Sequence, residues 1–192
     1  MDADAYFEQV APRWKTTGAG EEADPEAVAE RGAALFSEGF YCAESVLQAV
    51  AESHGLRNAA LSRIATGFCS GMSRTSGMCG ALSGGIMALG LLTGRAAPGD
   101  DKGLCYTLTY HLVGHFRERF KSIACSDLLG CDIGTAEGAR RFEQERLEES
   151  VCVRVTREVA RMATELLSLR HRLRHPLLSQ RELEPQNEAF GS

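Results

Sequence analysis

No two of the seven cysteines are spaced C-x-x-C. That absence excludes a thioredoxin-type redox motif, covalent haem attachment through C-x-x-C-H and a zinc ribbon, all of which need the spacing. Other signatures are missing too. There is no P-loop lysine motif, no G-x-G-x-x-G after a strand, no G-x-S-x-G elbow and no outstanding carboxylate pair. No segment alternates apolar and polar residues as a half-buried strand would, and there is no internal repeat. Basic charge is scarce: the formal net charge of −5 argues against general nucleic-acid binding. The start, MDADAYFEQVAPRW, has neither a basic nor an apolar signal region, so a cytoplasmic location is expected. Long hydrophobic runs are lacking as well. The uncharged stretch Thr75–Gly94 carries six glycines, with Ser and Thr interrupting it, and reads as a buried helix rather than a membrane span.

The chain that remains has 192 residues, 44% of them hydrophobic and 24% charged, enough for one domain with a core. We expect an all-α fold: a single-domain helical bundle around a central glycine-rich helix. Residues 1–24 read as a flexible N-terminal arm, 25–175 as a helical redox-type domain and 176–192 as a polar C-terminal tail. Asp24-Pro25 supplies an N-cap and an N1 proline, and Val28, Leu35 and Phe36 form one face up to Gly39. Cys42, Val46, Ala49 and Val50 form the next stripe, with Glu44, Gln48 and Glu52 facing away and His54-Gly55 closing the helix. A short helix follows within Leu56–Thr66. Gly67 opens a glycine-punctuated loop holding Cys69 and Arg74, a weak candidate anion cradle. From Leu104 to Phe120 the stripe is Tyr106, Tyr110, Val113, Phe116 and Phe120. The last long helix places Cys152, Val155, Val159, Met162 and Leu166 on one face and its arginines on the other. The closing RHRLRH run reads as a solvated face with cations suited to a helix C-terminus.

Seven cysteines without an export signal suit metal binding or redox chemistry in a reducing compartment more than structural disulfides, and an odd number excludes full pairing. Cys42, Cys79 and Cys152 fall in the first turn of expected helices, and Cys125 stands beside helix-starting Ser126 and Asp127. Helix N-termini favour the thiolate, the form that attacks disulfides and ligates metals. Gly77, Gly80 and Gly84 would let the backbone approach a cofactor or a partner helix closely. Four converging thiolates would suit an iron–sulfur cluster, or zinc as the alternative. The metal form is preferred because a four-thiolate cage uses all four cysteines. A metal-free thiol/disulfide oxidoreductase with Cys79 as nucleophile is the alternative, and a non-catalytic helical scaffold or oligomerisation module a third. Cys69, Cys105 and Cys131 read as incidental or structural, with Cys69 and Cys131 able to serve as resolving thiols or substitute ligands. His111 and His115 share a helix face, but Leu112 stands where H-E-x-x-H needs glutamate, so one core and one surface histidine are expected.

The four cysteines and their surroundings resemble the family of redox-active proteins named for the motif C-GCAxxG-C-C. Cys42 in YCAESVLQAV is similar to its first cysteine, and Cys79-Gly80-Ala81-Leu82-Ser83-Gly84 followed by GIMALGLLTG to its central block. Cys125 in ACSDLLG and Cys152 correspond to the last two. The likeness runs over roughly Glu26 to Leu167, with one departure: the core here reads C-G-A-x-x-G where the name prints G-C-A-x-x-G. The resemblance implies a redox-active or iron–sulfur-type cysteine site in a helical domain. The expected partners are a redox protein or a small thiol, and the bare glycine face would also suit a homo-oligomer.

Overall fold

The computed structural model describes residues 23–173, and every regular element within them is helical. The remainder of the expected arm, the tail and the side chains of the arginine-rich run lie outside the described residues. Helix α1 spans Pro25–Ser37 and begins as its sequence dictates. The Asp24 carboxylate accepts the Glu26 N–H at 3.1 Å, Pro25 occupies the first turn, and Val28, Leu35 and Phe36 are buried. Gly39, at φ +101°, turns the chain into α2, Cys42–Ser53.

Glu44, expected on the outer face of α2, is buried instead. Its carboxylate accepts the Tyr41 N–H at 2.8 Å and the Thr66 hydroxyl at 2.6 Å. It thereby ties the start of α2 to the end of α3, Ala59–Thr66, and satisfies a donor that the helix start would orphan. The glycine-punctuated segment that follows is a left-handed turn. Ser70, Gly71, Met72, Ser73 and Arg74 all have φ between 55° and 67°. Side chains there crowd the following carbonyl, at about 1–2 kcal/mol per non-glycine residue, so the surrounding contacts must hold the turn.

Helix α4, Gly80–Thr93, is the glycine-rich helix and sits centrally, packed on α2, on α5 (Gly103–Phe120) and on α8 (Val153–Leu173). Two of its glycines are required by contact. A Cβ on Gly84 would stand 2.5 Å from the Ala43 carbonyl oxygen, and one on Gly85 would stand 2.7 Å from Val159 Cγ1. Between α5 and α8 lie α6, Cys125–Leu129, α7, Ala136–Gln144, and a π-helical turn over Glu148–Cys152.

The expected face of α5 is corrected. Tyr106 and Tyr110 are exposed, while Leu108, Leu112 and Phe116 are buried. Leucines recur every four residues from Leu104, and they bury without leaving a hydroxyl to satisfy; tyrosine keeps its polar tip in water. On α8, Val155, Val159, Met162 and Leu166 are buried as their spacing predicts. Each fully buried aliphatic or aromatic side chain contributes about 1.5–3 kcal/mol. No described helix is long and apolar enough to cross a membrane.

Candidate thiol cavity

Five of the seven cysteines line one cavity of about 490 Å³: Cys42, Cys69, Cys79, Cys125 and Cys152. All seven are free thiols. The four singled out from sequence are thus brought together, and the fifth is one the spacing did not favour.

Each wall has a local cause. Cys42 is the first residue of α2 and half-buried. A Cβ on Gly80 would stand 2.4 Å from its sulfur, 2.8 Å from the Phe68 carbonyl oxygen and 3.1 Å from Cys69 Cα. The bare backbone of Gly80 therefore lets the first turn of α2, the left-handed turn and the start of α4 meet at one point. Cys69 is buried there, its thiol donating to the Ala65 carbonyl at 3.7 Å. A hydrogen bond with Cys42, then burial and the nearby Cys42 charge, push the Cys69 thiol far above the ordinary thiol range. The N–H groups of Glu44 and Ala43 oppose this only in part.

The opposite wall is built from a short antiparallel contact. Met78 pairs with Ala124; the Cys79 N–H donates to the Ile123 carbonyl at 2.7 Å and the Cys125 N–H to the Gly77 carbonyl at 2.9 Å. Since successive residues of an extended segment face opposite ways, Cys79 and Cys125 share a face. Gly71 leaves room for Cys125, whose Cβ would lie 2.4 Å from a Cβ at that position. Gly77 thus holds the contact together, and Gly84 faces the Ala43 backbone. Of the three glycines expected to border a cofactor, only Gly80 lines the cavity.

Helix starts do not make these thiols acidic. Cys79 caps α4 and draws on the N–H groups of Leu82 and Ala81, yet burial outweighs them and pushes it up to about 11. Burial, then the Cys131 and Asp132 charges, push Cys125 up to about 11. Cys152 closes the π-turn rather than opening a free helix end, because Val153 donates back to Glu148. Burial, followed by Cys125, Cys79 and Glu148, pushes it up to about 12. The thiolate expected at Cys79 is thus disfavoured in the metal-free protein.

Among the described residues, no group of three or more His, Cys, Asp or Glu side chains is arranged to hold a metal ion. The donor chemistry of Cys42, Cys79, Cys125 and Cys152 suits iron or zinc; their side-chain positions do not close on one point. Cys131 packs beside Cys125 and Cys152, its thiol donating to the Gly138 carbonyl at 3.6 Å. Cys105 is half-buried on α5 and does not line the cavity. His111 and His115 are both exposed, correcting the expected core histidine, and their ring centroids lie 6.2 Å apart.

The burial of Glu44 and the place of Glu143 and Glu148 on the cavity were missed by sequence reasoning, which named Cys69 as a resolving thiol and Arg74 as an anion-binding residue without placing either beside Cys42. The signal for Cys69 was its place in the glycine-punctuated loop, which must return to the start of α4.

The family model described as "Putative redox-active protein (C_GCAxxG_C_C)" matches residues 40–166, and the chain belongs to that family. No curated protein and no solved structure matches the chain.

Proposed function

We propose that this family member does thiol–disulfide redox chemistry in its cavity, with Cys42 and Cys69 as the reversible couple. The observation that carries the reading is the meeting of Cys42 and Cys69 at the bare backbone of Gly80, where an added Cβ would stand 2.4 Å from the Cys42 sulfur and 3.1 Å from Cys69 Cα, on a cavity lined by five thiols. Cys42 is the more exposed of the two and meets an incoming disulfide first. Cys69, buried behind it, resolves the mixed disulfide. Cys79, expected as the nucleophile, is a poorer first attacker because it is buried where Cys42 is only half-buried. The partner is a redox protein or a small thiol or disulfide.

A second reading keeps Cys42, Cys79, Cys125 and Cys152 as ligands of an iron–sulfur cluster, or of zinc. In its favour, all four line the same cavity, and neighbouring charge helps raise Cys125 and Cys152, as expected of thiols that exchange protons for a cation. A cluster would supply one-electron transfer, whereas zinc would be structural. This reading requires the four side chains to move together.

One preparation separates the two. Protein purified without oxygen is assayed for iron, zinc and sulfide. It is then treated with a limiting small disulfide and mapped by mass spectrometry. Metal-free protein with a Cys42–Cys69 disulfide is expected, and Cys69→Ser should stop the reaction at a mixed disulfide on Cys42. Stoichiometric iron and sulfide, lost in Cys79→Ala, would replace the first reading with the second.

A further inference from the structure

We infer that the cavity accepts a zwitterionic low-molecular-weight disulfide of the α-amino-acid type, its carboxylate held by Arg74 and its ammonium by Glu143 or Glu148. The inference rests on the Cys42–Cys69 reading and names its substrate class.

Those three are the only charged residues lining the cavity among the described residues. Arg74 ends the left-handed turn, where a Cβ on Gly134 would come within 2.4 Å of its carbonyl oxygen, so its backbone is closely confined. Its guanidinium makes no ion pair or hydrogen bond among the described residues, although ten side-chain ion pairs occur elsewhere. Glu143 on α7 and Glu148 at the start of the π-turn likewise have no cationic partner. Their neighbours Glu145 and Glu149 are the ones paired, with Arg141 and Arg146. The lining therefore carries a cation and two anions that form no ion pair with one another, together with five thiols.

A purely anionic ligand would meet Arg74 but be repelled by two carboxylates, and a purely cationic one the reverse. A ligand with both charges can meet both kinds of group. The carboxylate of an amino acid can form the bidentate pair that guanidinium geometry favours, and its ammonium can meet Glu143 or Glu148. The volume of about 490 Å³ is in the range of small-molecule sites.

The reaction balances without a further reagent. Cys42 attacks one sulfur of the disulfide R–S–S–R, forming Cys42–S–S–R; the first RS⁻ leaves and takes up the proton that Cys42 lost. Cys69 then attacks the Cys42 sulfur, the Cys42–Cys69 bond forms, and the second RS⁻ leaves with the Cys69 proton. The protein is oxidised by two electrons and the substrate becomes two thiols.

The test is a single-turnover measurement on the reduced full chain with four disulfides. L-cystine is zwitterionic, cystamine cationic, 3,3′-dithiodipropionate anionic and 2-hydroxyethyl disulfide neutral. Each rate is divided by that of free 2-mercaptoethanol with the same reagent, removing intrinsic reactivity. Normalised cystine oxidation should exceed the other three by about tenfold, the scale of one or two charge-assisted hydrogen bonds. Arg74→Gln, and separately Glu143→Gln with Glu148→Gln, should remove that advantage while leaving the neutral disulfide unchanged, which also reports that the variants fold. Equal normalised rates for cystine and the neutral disulfide, or a loss shared by all four reagents, would overturn the substrate assignment with the thiol couple intact. Failure of every disulfide to form the Cys42–Cys69 bond would overturn the couple itself.

Discussion

The two ends of the glycine-rich helix carry the same residue and put it to different use. At the start of α4, Gly80, Gly84 and Gly85 each face an atom that would lie under 3.0 Å from an added Cβ: the Cys42 sulfur, the Ala43 carbonyl oxygen and Val159 Cγ1. Near the other end, a Cβ on Gly90 meets nothing within 4 Å. The first set lets α2, the left-handed turn and α8 close around the thiols. Gly90 only gives up helix propensity. Spacing by four residues is therefore not evidence of close packing; the neighbour is.

The largest way to sharpen this contrast is pH, because only the cavity end of α4 carries buried thiols. A group that binds its proton more tightly when folded stabilises the fold fully below its unfolded value, here 9.0, and loses that contribution as pH rises through the folded value. For Cys79, Cys125 and Cys152 these lie near 11, 11 and 12. The reduced protein should therefore lose several kcal/mol between about pH 9 and 12, at about 1.4 kcal/mol per pKa unit. Urea unfolding midpoints across that range measure it, and Cys79→Ala should flatten the slope. An unchanged slope in the variant would show that Cys79 is not held protonated by burial.

Next in size is Gly84→Ala. Its new methyl meets backbone, which cannot rotate away, so a loss of about 3 kcal/mol is expected from overpacking. Gly80→Ala should cost less, about 1–2 kcal/mol, because the Cys42 side chain can give while the Phe68 carbonyl cannot. Its clearer readout is chemical: displacing Cys42 should slow formation of the Cys42–Cys69 disulfide, followed by thiol counting. The smallest effect has the opposite sign. Gly90→Ala should stabilise by about 0.5–1 kcal/mol, since alanine is the better helix former and the space is open. A destabilising Gly90→Ala would break the comparison between the two ends.

Much of the fold was legible where the cause is local. Asp24-Pro25 starts α1 because the cap and the proline act on their own turn, and the α8 stripe follows helical period. The α5 face was misread because tyrosine and leucine both count as apolar in a stripe, while only leucine buries without a partner for a hydroxyl. Glu44 was read as solvent-facing because its partner, Thr66, lies 22 residues away. Cys42, Cys79, Cys125 and Cys152 were singled out from their shared context at expected helix starts, and all four line the cavity, although Cys152 closes a π-turn. Cys69 was read as incidental or as a resolving thiol, because its meeting with Cys42 at Gly80 depends on segments distant in sequence.

Order along the chain was thus enough to establish a helical domain and its principal caps, and to single out four cysteines that line the cavity, because capping and amphipathic period are set within a turn or two. Which thiols share the cavity, which are pushed toward the protonated form and which charged side chains line it were decided only in three dimensions. Burial and neighbouring charge govern a thiol's proton, and both come from segments far apart in sequence: α2 against the left-handed turn, and the Cys79 segment against the Cys125 segment.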